Sequence, residues 1–311
     1  MEEIMKLKMS RKARENMLGY AFVSIWIIGF LIFTLIPIVR TFLFSFHKIT
    51  ITADGIRQNF IGMSNYKDAF LSDVKFVDVL IEYVGEIILY VPIVIVFALA
   101  ISLILNMKLK GKGFFRTLFF LPVIIISGPV MEEFIDQGVT SIQGVDQMSF
   151  YKDLIFALPE FLGTLLNTLV NSFVMILWFS GVQILIFLSA LQKIDRPIYE
   201  AAQIDGASRW EAFWKITLPT MRPMIILNIV YTIISISTFT LNEVIIVIQE
   251  NSFSSTTGLG YAAALAWIYF IILLLIIGIF MLLYGPKKEN PYGEKIKKQK
   301  RKGGRHAKVS Q

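Results

Sequence analysis

The sequence predicts an all-α membrane protein with six transmembrane helices. Three observations predict it. Of the 311 residues, 55% are hydrophobic and the mean hydropathy is +0.65; a water-soluble domain of this size does not carry so many uninterrupted apolar runs. Six of those runs are long enough to cross a hydrocarbon core of roughly 30 Å as helices. The polar segments between them alternate in charge, and those on the side of the N-terminus hold 24 of the 30 Lys and Arg residues. That bias predicts cytoplasmic N- and C-termini in a multi-pass protein of the cell membrane.

Residues 1–17 are a basic N-terminus carrying Lys6, Lys8, Arg11, Lys12 and Arg14. The apolar run that follows is too long for the core of a signal peptide and lacks an A-x-A cleavage pattern, so it is expected to stay as a membrane helix. Residues 18–76 supply this first span, to about Phe46, and an extracellular polar loop. Pro37 is expected to kink the span, and Arg40 to reach from it to the interface. Residues 77–284 form a five-helix core. Its first helix runs to Asn106, with Asp78, Glu82 and Glu86 in a part that precedes the membrane-embedded stretch from Ile87. The next spans are expected at about 114–131, 165–191, 224–248 and 260–284. Residues 132–162 are an acid-rich loop with Lys152 as its sole base. Gly260 with Ala264, and Ala262 with Ala266, place small residues four apart for close helix packing. Residues 285–311 are a strongly basic cytoplasmic tail, suited to anionic membrane lipids. Without interleaved aromatic residues it offers no stacking platform, and no nucleic acid partner is expected.

Cysteine is absent, which removes disulfide and thiolate chemistry. The two histidines, His47 and His306, lie far apart, and no metal site is expected. No G-x-x-x-x-G-K-[ST] phosphate-binding string occurs, so any ATP used by this system binds to another chain.

The longest polar-containing interruption is the loop of residues 193–223, whose centre reads PIYEAAQIDGASRWEAFWKITLPTMRP. Pro197 suits a first helical position. Gly206 falls where a helix ends in a left-handed turn. Ser208 and Glu211 form an S-x-x-E capping box that starts a second short helix, expected to end before Leu218-Pro219. Local physics alone allows a plain helical connector. The full string is more specific: Glu200-Ala201-Ala202, Asp205-Gly206-Ala207, Phe213, Ile216, Leu218-Pro219 and Pro223 resemble the EAA loop of permease subunits of binding-protein-dependent ABC importers, closest to the carbohydrate-uptake branch that handles maltose and glycerol phosphate. Residues 60–70, FIGMSNYKDAF, also resemble the F-x-G-x-x-NY segment of sugar permeases. The chain departs from that pattern in having EYVGE where an Asn-Thr pair is common, and in lacking a Gly-Gly-Pro near residues 250–257.

The resemblance implies the six-helix bundle of a type I ABC importer permease and the transport of a sugar of oligosaccharide size. It implies that Glu200, Ala201, Ala202, Asp205, Gly206, Ala207, Trp210 and Phe213 dock with an ATPase. It also implies the partners: a second, different permease subunit, two copies of a cytoplasmic ABC ATPase that carry ATP and Mg, and an extracellular sugar-binding protein. No cofactor is expected on this chain and no catalytic residue, so it is not expected to be an enzyme. The sequence itself nominates substrate-path residues. Neutral polar groups recognise sugars by hydrogen bonding, and Asn167, Asn171, Asn228, Tyr231, Ser235 and Asn242 supply them on the fourth and fifth spans. Helix–helix hydrogen bonding is the alternative use of the same groups. A secondary transporter or channel component working without an ATPase is the alternative function, favoured by internal repeats, and none is visible.

Overall fold

The computed structural model describes residues 11–52, 55–107, 148–254 and 258–285, with isolated positions between 111 and 137. The expected third span at 114–131 lies almost wholly outside the described residues, as do most of the N-terminus and the basic tail. Among the described residues five helical stretches are long and apolar enough to cross a membrane. The chain divides into two compact units, residues 1–84 with 240–272 and residues 85–239 with 273–311.

The first unit begins with α1 (Arg11–Phe30), a π-helical turn (Leu31–Leu35) and α2 (Ile36–Phe44). Proline explains the wide turn. Pro37 has no N–H to offer the carbonyl four residues back, and the Ile36 N–H reaches instead to the Leu31 carbonyl. The expected polar loop is more ordered than its composition suggests. It holds an antiparallel hairpin, β1 (His47–Thr52) with β2 (Gly55–Phe60), in which His47 pairs with Phe60 and Thr52 with Gly55. The short helix α3 (Ser64–Leu71) follows. The F-x-G-x-x-NY segment closes the end of α2: Asn65 Nδ2 donates to the carbonyls of Ser45 (2.8 Å) and His47 (3.2 Å), and Tyr66 Oη donates to Ser45 Oγ (2.8 Å). These bonds satisfy carbonyls that a helix end leaves open.

The second long helix, α4 (Val74–Asn106), starts three residues before its expected position. Asp73 caps it by accepting the Phe76 N–H (2.9 Å), and its other oxygen accepts from Tyr261 Oη (2.8 Å). Asp78, Glu82 and Glu86 share an exposed face, four residues apart, while Phe76, Leu80, Tyr83 and Ile87 are buried. The last helix, α12 (Gly258–Tyr284), buries Tyr261 to Leu265. Its small residues do allow close approach. A Cβ added at Gly260 would run into the main-chain carbonyl of His47 and lie 3.2 Å from the Phe44 oxygen.

The second unit contains the helical hairpin α5 (Ser149–Ala157) and α6 (Glu160–Asn171), then α7 (Phe173–Leu191), α8 (Arg196–Ile204) and α9 (Arg209–Ala212). A second π-helical turn (Phe213–Thr217) leads into α10 (Leu218–Ser237). Helices α7 and α10 pack along each other, burying Ile184, Phe187, Leu188, Met221, Ile229 and Ile233. Helix α11 (Glu243–Phe253) belongs to the first unit.

Two expected spans are interrupted. The fourth, expected as one helix over 165–191, is broken at Ser172 (φ −101°, ψ 11°), which separates α6 from α7, so Asn167 and Asn171 precede the apolar span Phe173–Leu191. The fifth was read to 248, but Thr238 (φ −98°, ψ 6°) ends α10, and Asn242 restarts the chain as the N-cap of α11, its Oδ1 accepting the Val244 N–H at 2.9 Å.

Gly260 offers a test of the packing. Gly260→Ala places a methyl against backbone that cannot rotate away, and overpacking of this kind costs roughly 1–3 kcal/mol. A lower melting temperature in detergent is the expected result. Gly278→Ala, where an added Cβ meets nothing within 4 Å, should leave it unchanged.

Candidate functional site

The candidate site is the elbow between α7 and α10. Asp195 leads in with extended backbone and Pro197 sits in the first turn of α8. The exit from α8 is a Schellman turn: the Ala207 N–H bonds to the Ala202 carbonyl (2.9 Å), the Gly206 N–H to the Gln203 carbonyl (3.0 Å), and Gly206 has φ +82°. The second arm begins immediately. Ser208 Oγ accepts the Glu211 N–H (3.2 Å), while Glu211 Oε2 accepts the Ser208 N–H (3.0 Å), which completes the expected capping box. Lys215 pairs with Glu211 at 3.4 Å, both well exposed, and contributes little.

Helix α9 was expected to stop before Leu218-Pro219. It instead runs through the π turn into α10, because Leu218 N–H bonds five residues back to Phe213 and absorbs the proline that follows. The lower arm of the elbow is therefore continuous with the fifth span.

The named residues are presented outward. Glu200, Ala201, Asp205 and Gly206 are exposed, and Ala202 and Ala207 are half-buried. Nothing in this chain lies within 4 Å of a Cβ built on Gly206. Trp210, Phe213 and Trp214 form one aromatic cluster with ring centroids 5.3 to 6.3 Å apart, yet Trp210 remains 69% exposed and Trp214 49%. Ile204, at the end of α8, is 86% exposed. An elbow that exposes apolar side chains together with the charged Glu200, Asp205 and Arg209 has the composition of a protein contact. One member escaped the sequence reading. Tyr199 Oη shares a 2.7 Å hydrogen bond with Thr217 Oγ1, tying the first arm to the π turn of the second. Its signal was its place beside Glu200 within the string, on the inner side of α8.

The nominated path residues do not form one surface. Asn167 and Asn171 lie on α6, where Asn167 Oδ1 accepts from Tyr151 Oη (3.0 Å) and from Asn171 Nδ2 (3.2 Å). Asn167 also lines an open groove of ≈ 430 Å³ between α5 and α6, with Tyr151, Lys152 and Thr164. Tyr231 is exposed and Ser235 half-buried on α10, whereas Asn228 is sealed between α10 and α7. Asn242 is buried too, with its Nδ2 3.4 Å from Tyr269 Oη. Helical spacing alone predicts a common side for Asn228, Tyr231, Ser235 and Asn242; the break at Thr238 removes Asn242 from it. Gln183 and Thr232, which hydrogen-bond across α7 and α10 at 2.9 Å, are the polar pair that periodicity could not have matched.

A family model described as "Binding-protein-dependent transport system inner membrane component" matches residues 61–286. The chain is 34% identical to the probable ABC transporter permease protein YesP of Bacillus subtilis, over 89% of this chain and 92% of that protein. It is 30% identical to the multiple sugar-binding transport system permease protein MsmF of Streptococcus mutans, over 85% and 93%. A chain of a bacterial ABC transporter that imports the acidic polysaccharide alginate shares the fold, with a TM-score of 0.61 at 21% identity over 88% of this chain and 97% of that one.

Tyr199→Phe keeps the ring and removes the bond to Thr217. Loss of one such hydrogen bond costs about 1 kcal/mol. Amide exchange in α8 should quicken roughly fivefold while the spanning helices keep their protection, as expected for local opening.

Proposed function

The chain belongs to the family of binding-protein-dependent transport system inner membrane components, and from that premise we propose that it is the permease subunit of an ATP-driven importer of a sugar of oligosaccharide size. The observation that carries the reading is the elbow. Two rigidly capped arms hold acidic, small and aromatic residues outward in a chain whose own sequence has no phosphate-binding loop. The names of relatives such as MsmF supply the substrate class. The partners follow: a second permease subunit of different sequence, two ATPases that bind ATP and Mg, and an extracellular sugar-binding protein. ATP closes the ATPase dimer, the docked elbows approach each other, and the spans turn outward to accept substrate. Hydrolysis resets the inward state. ATP drives the cycle because it binds the two states with different affinity. The exposed Tyr231 and the groove residue Asn167 are better placed to meet a solute than the sealed Asn228 and Asn242.

Orientation follows from charge, with the elbow and both termini in the cytoplasm. Cysteines at Gln58 in the exposed hairpin and Gln203 in α8 give the check. In intact cells an impermeant thiol reagent should modify the first and spare the second; the reverse pattern would invert the topology.

Reconstituted with its partners, the chain should support ATP hydrolysis that quickens with loaded binding protein, together with sugar uptake. Uptake driven by an ion gradient without an ATPase would favour a secondary transporter. Gly206 ties the activity to the elbow. A Cβ built there meets nothing within 4 Å in this chain, so the cost expected within the chain for Gly206→Val is the strain of the positive φ, about 1 kcal/mol. Gly206→Asn tolerates that conformation. Both variants should reach wild-type membrane abundance, retain less ATPase in a pull-down and lose uptake, because the added side chain obstructs a close contact. Full ATPase retention and uptake in both would make the elbow a mere connector.

A further inference from the structure

The seam between α7 and α10 seals four polar side chains from solvent: Ser180, Gln183, Asn228 and Thr232, none more than 1% exposed. Ser180 Oγ donates within its own helix, to the Leu177 carbonyl at 2.9 Å. Gln183 Nε2 donates to Thr232 Oγ1 at 2.9 Å, and Asn228 Nδ2 reaches the Gln183 main-chain carbonyl at 3.4 Å. Both amides spend donors across the seam. Among the described residues, no group donates to their oxygens, Gln183 Oε1 and Asn228 Oδ1.

Rotating the amides does not cure this. Turning Asn228 over would set its oxygen against the Gln183 carbonyl, acceptor against acceptor. Turning Gln183 would let Thr232 donate to Oε1 but strand Nε2 instead. Buried acceptors in a membrane bundle have no bulk solvent to fall back on, and native structures leave very few unsatisfied. Each oxygen therefore needs a donor that the described residues do not supply. Water offers two O–H groups for two oxygens and is small enough for a helix seam. A sodium ion would need more oxygen ligands than the two left open here.

We propose that the α7–α10 seam is a water-binding site, in which one buried water donates to Gln183 Oε1 and Asn228 Oδ1 and makes the seam a hydrated joint between the two helices that flank the elbow. The helices place it well. Gln183 lies eight residues before the end of α7 and Asn228 ten residues into α10, about 12 and 15 Å along their axes at 1.5 Å per residue. A displacement of the elbow reaches Asn228 through the π turn and α10 without a break, and Gln183 through the short turn that follows α7. Direct side-chain bonds would hold the two helices in a single register. A water can change partners while both amides stay satisfied, so the helices slide by fractions of a turn without exposing a dry polar group. The role as a joint rests on the reading of the elbow as the ATPase dock; the water site itself does not.

The experiment uses the chain assembled with its partner subunits. A structure that resolves ordered water should show one peak within hydrogen-bond distance of both oxygens. Finding both oxygens paired to protein donors with no peak between them overturns the site. Repeating the measurement with sodium replaced by choline separates the fillers: a peak that persists is water, and a peak that vanishes is a cation and overturns the proposal. Gln183→Met with Asn228→Leu then removes both acceptors at nearly constant volume. Wild-type abundance, retained ATPase and a several-fold drop in sugar moved per ATP hydrolysed are the expected results. Unchanged coupling overturns the joint. Failure of the wild-type chain to retain an ATPase would sink the elbow reading instead, and the peak alone would still decide the water site.

Discussion

The constraint on which the rest of this structure depends is that hydrocarbon satisfies no backbone hydrogen bond. Each N–H and C=O at membrane depth must find its partner inside the protein. At two of the prolines that remove a donor, the helix widens locally. Pro37 and Pro219 each come just after a five-residue π turn, in which the N–H of the residue immediately before the ring reaches back five positions instead of four. Helix ends obey the same rule. Asn65 covers two carbonyls at the end of α2, Asp73 caps α4 and Asn242 caps α11.

Two single-residue breaks share one geometry. Ser172 and Thr238 have nearly identical dihedral angles, close to φ −100° and ψ 10°, and both carry hydroxyls that are used at once. Ser172 Oγ pairs with Tyr90 Oη at 2.6 Å, and Thr238 Oγ1 donates to the Ile234 carbonyl at 2.8 Å. Each break redirects the chain without a proline or a glycine. This explains why a hydropathy profile passes over them: the flanking residues remain apolar, and an averaged window does not register one residue leaving the helical basin.

What was legible in the sequence was what is encoded locally. Pro197, Gly206, Ser208 and Glu211 each determine their own backbone within one turn, and all four elements of the elbow stand where those residues put them. The cap at Asn242-Glu243 is equally local, but the apolar run continues through it and hydropathy does not mark it. The hairpin had its signal as well, in the β-branched Ile49 to Thr52 and the Asp54-Gly55 dipeptide. Pairings between distant segments were beyond reach. Nothing near Gln183 names Thr232, 49 residues away, and nothing near Tyr199 names Thr217. Periodicity gives the face a residue occupies, not the residue opposite.

An element that transmits displacement must not absorb it. In this chain the elbow meets that requirement by redundancy. The Schellman turn fixes the exit of α8, the capping box fixes the entry to α9, and Tyr199 with Thr217 closes the angle between the arms. The one residue with unusual backbone freedom, Gly206, is held at φ +82° by bonds on both sides of it. The lower arm then runs through the π turn into α10 without a gap. A force applied at Trp210 or Glu200 therefore has no soft joint within the elbow in which to dissipate. The softer elements lie further along the chain, in the single-residue breaks at Ser172 and Thr238 and in the imperfectly paired seam between α7 and α10. On the proposed reading, the motion that ATP imposes outside the membrane becomes a change of helix packing only at those depths, where the backbone or a side-chain oxygen has an alternative partner to accept.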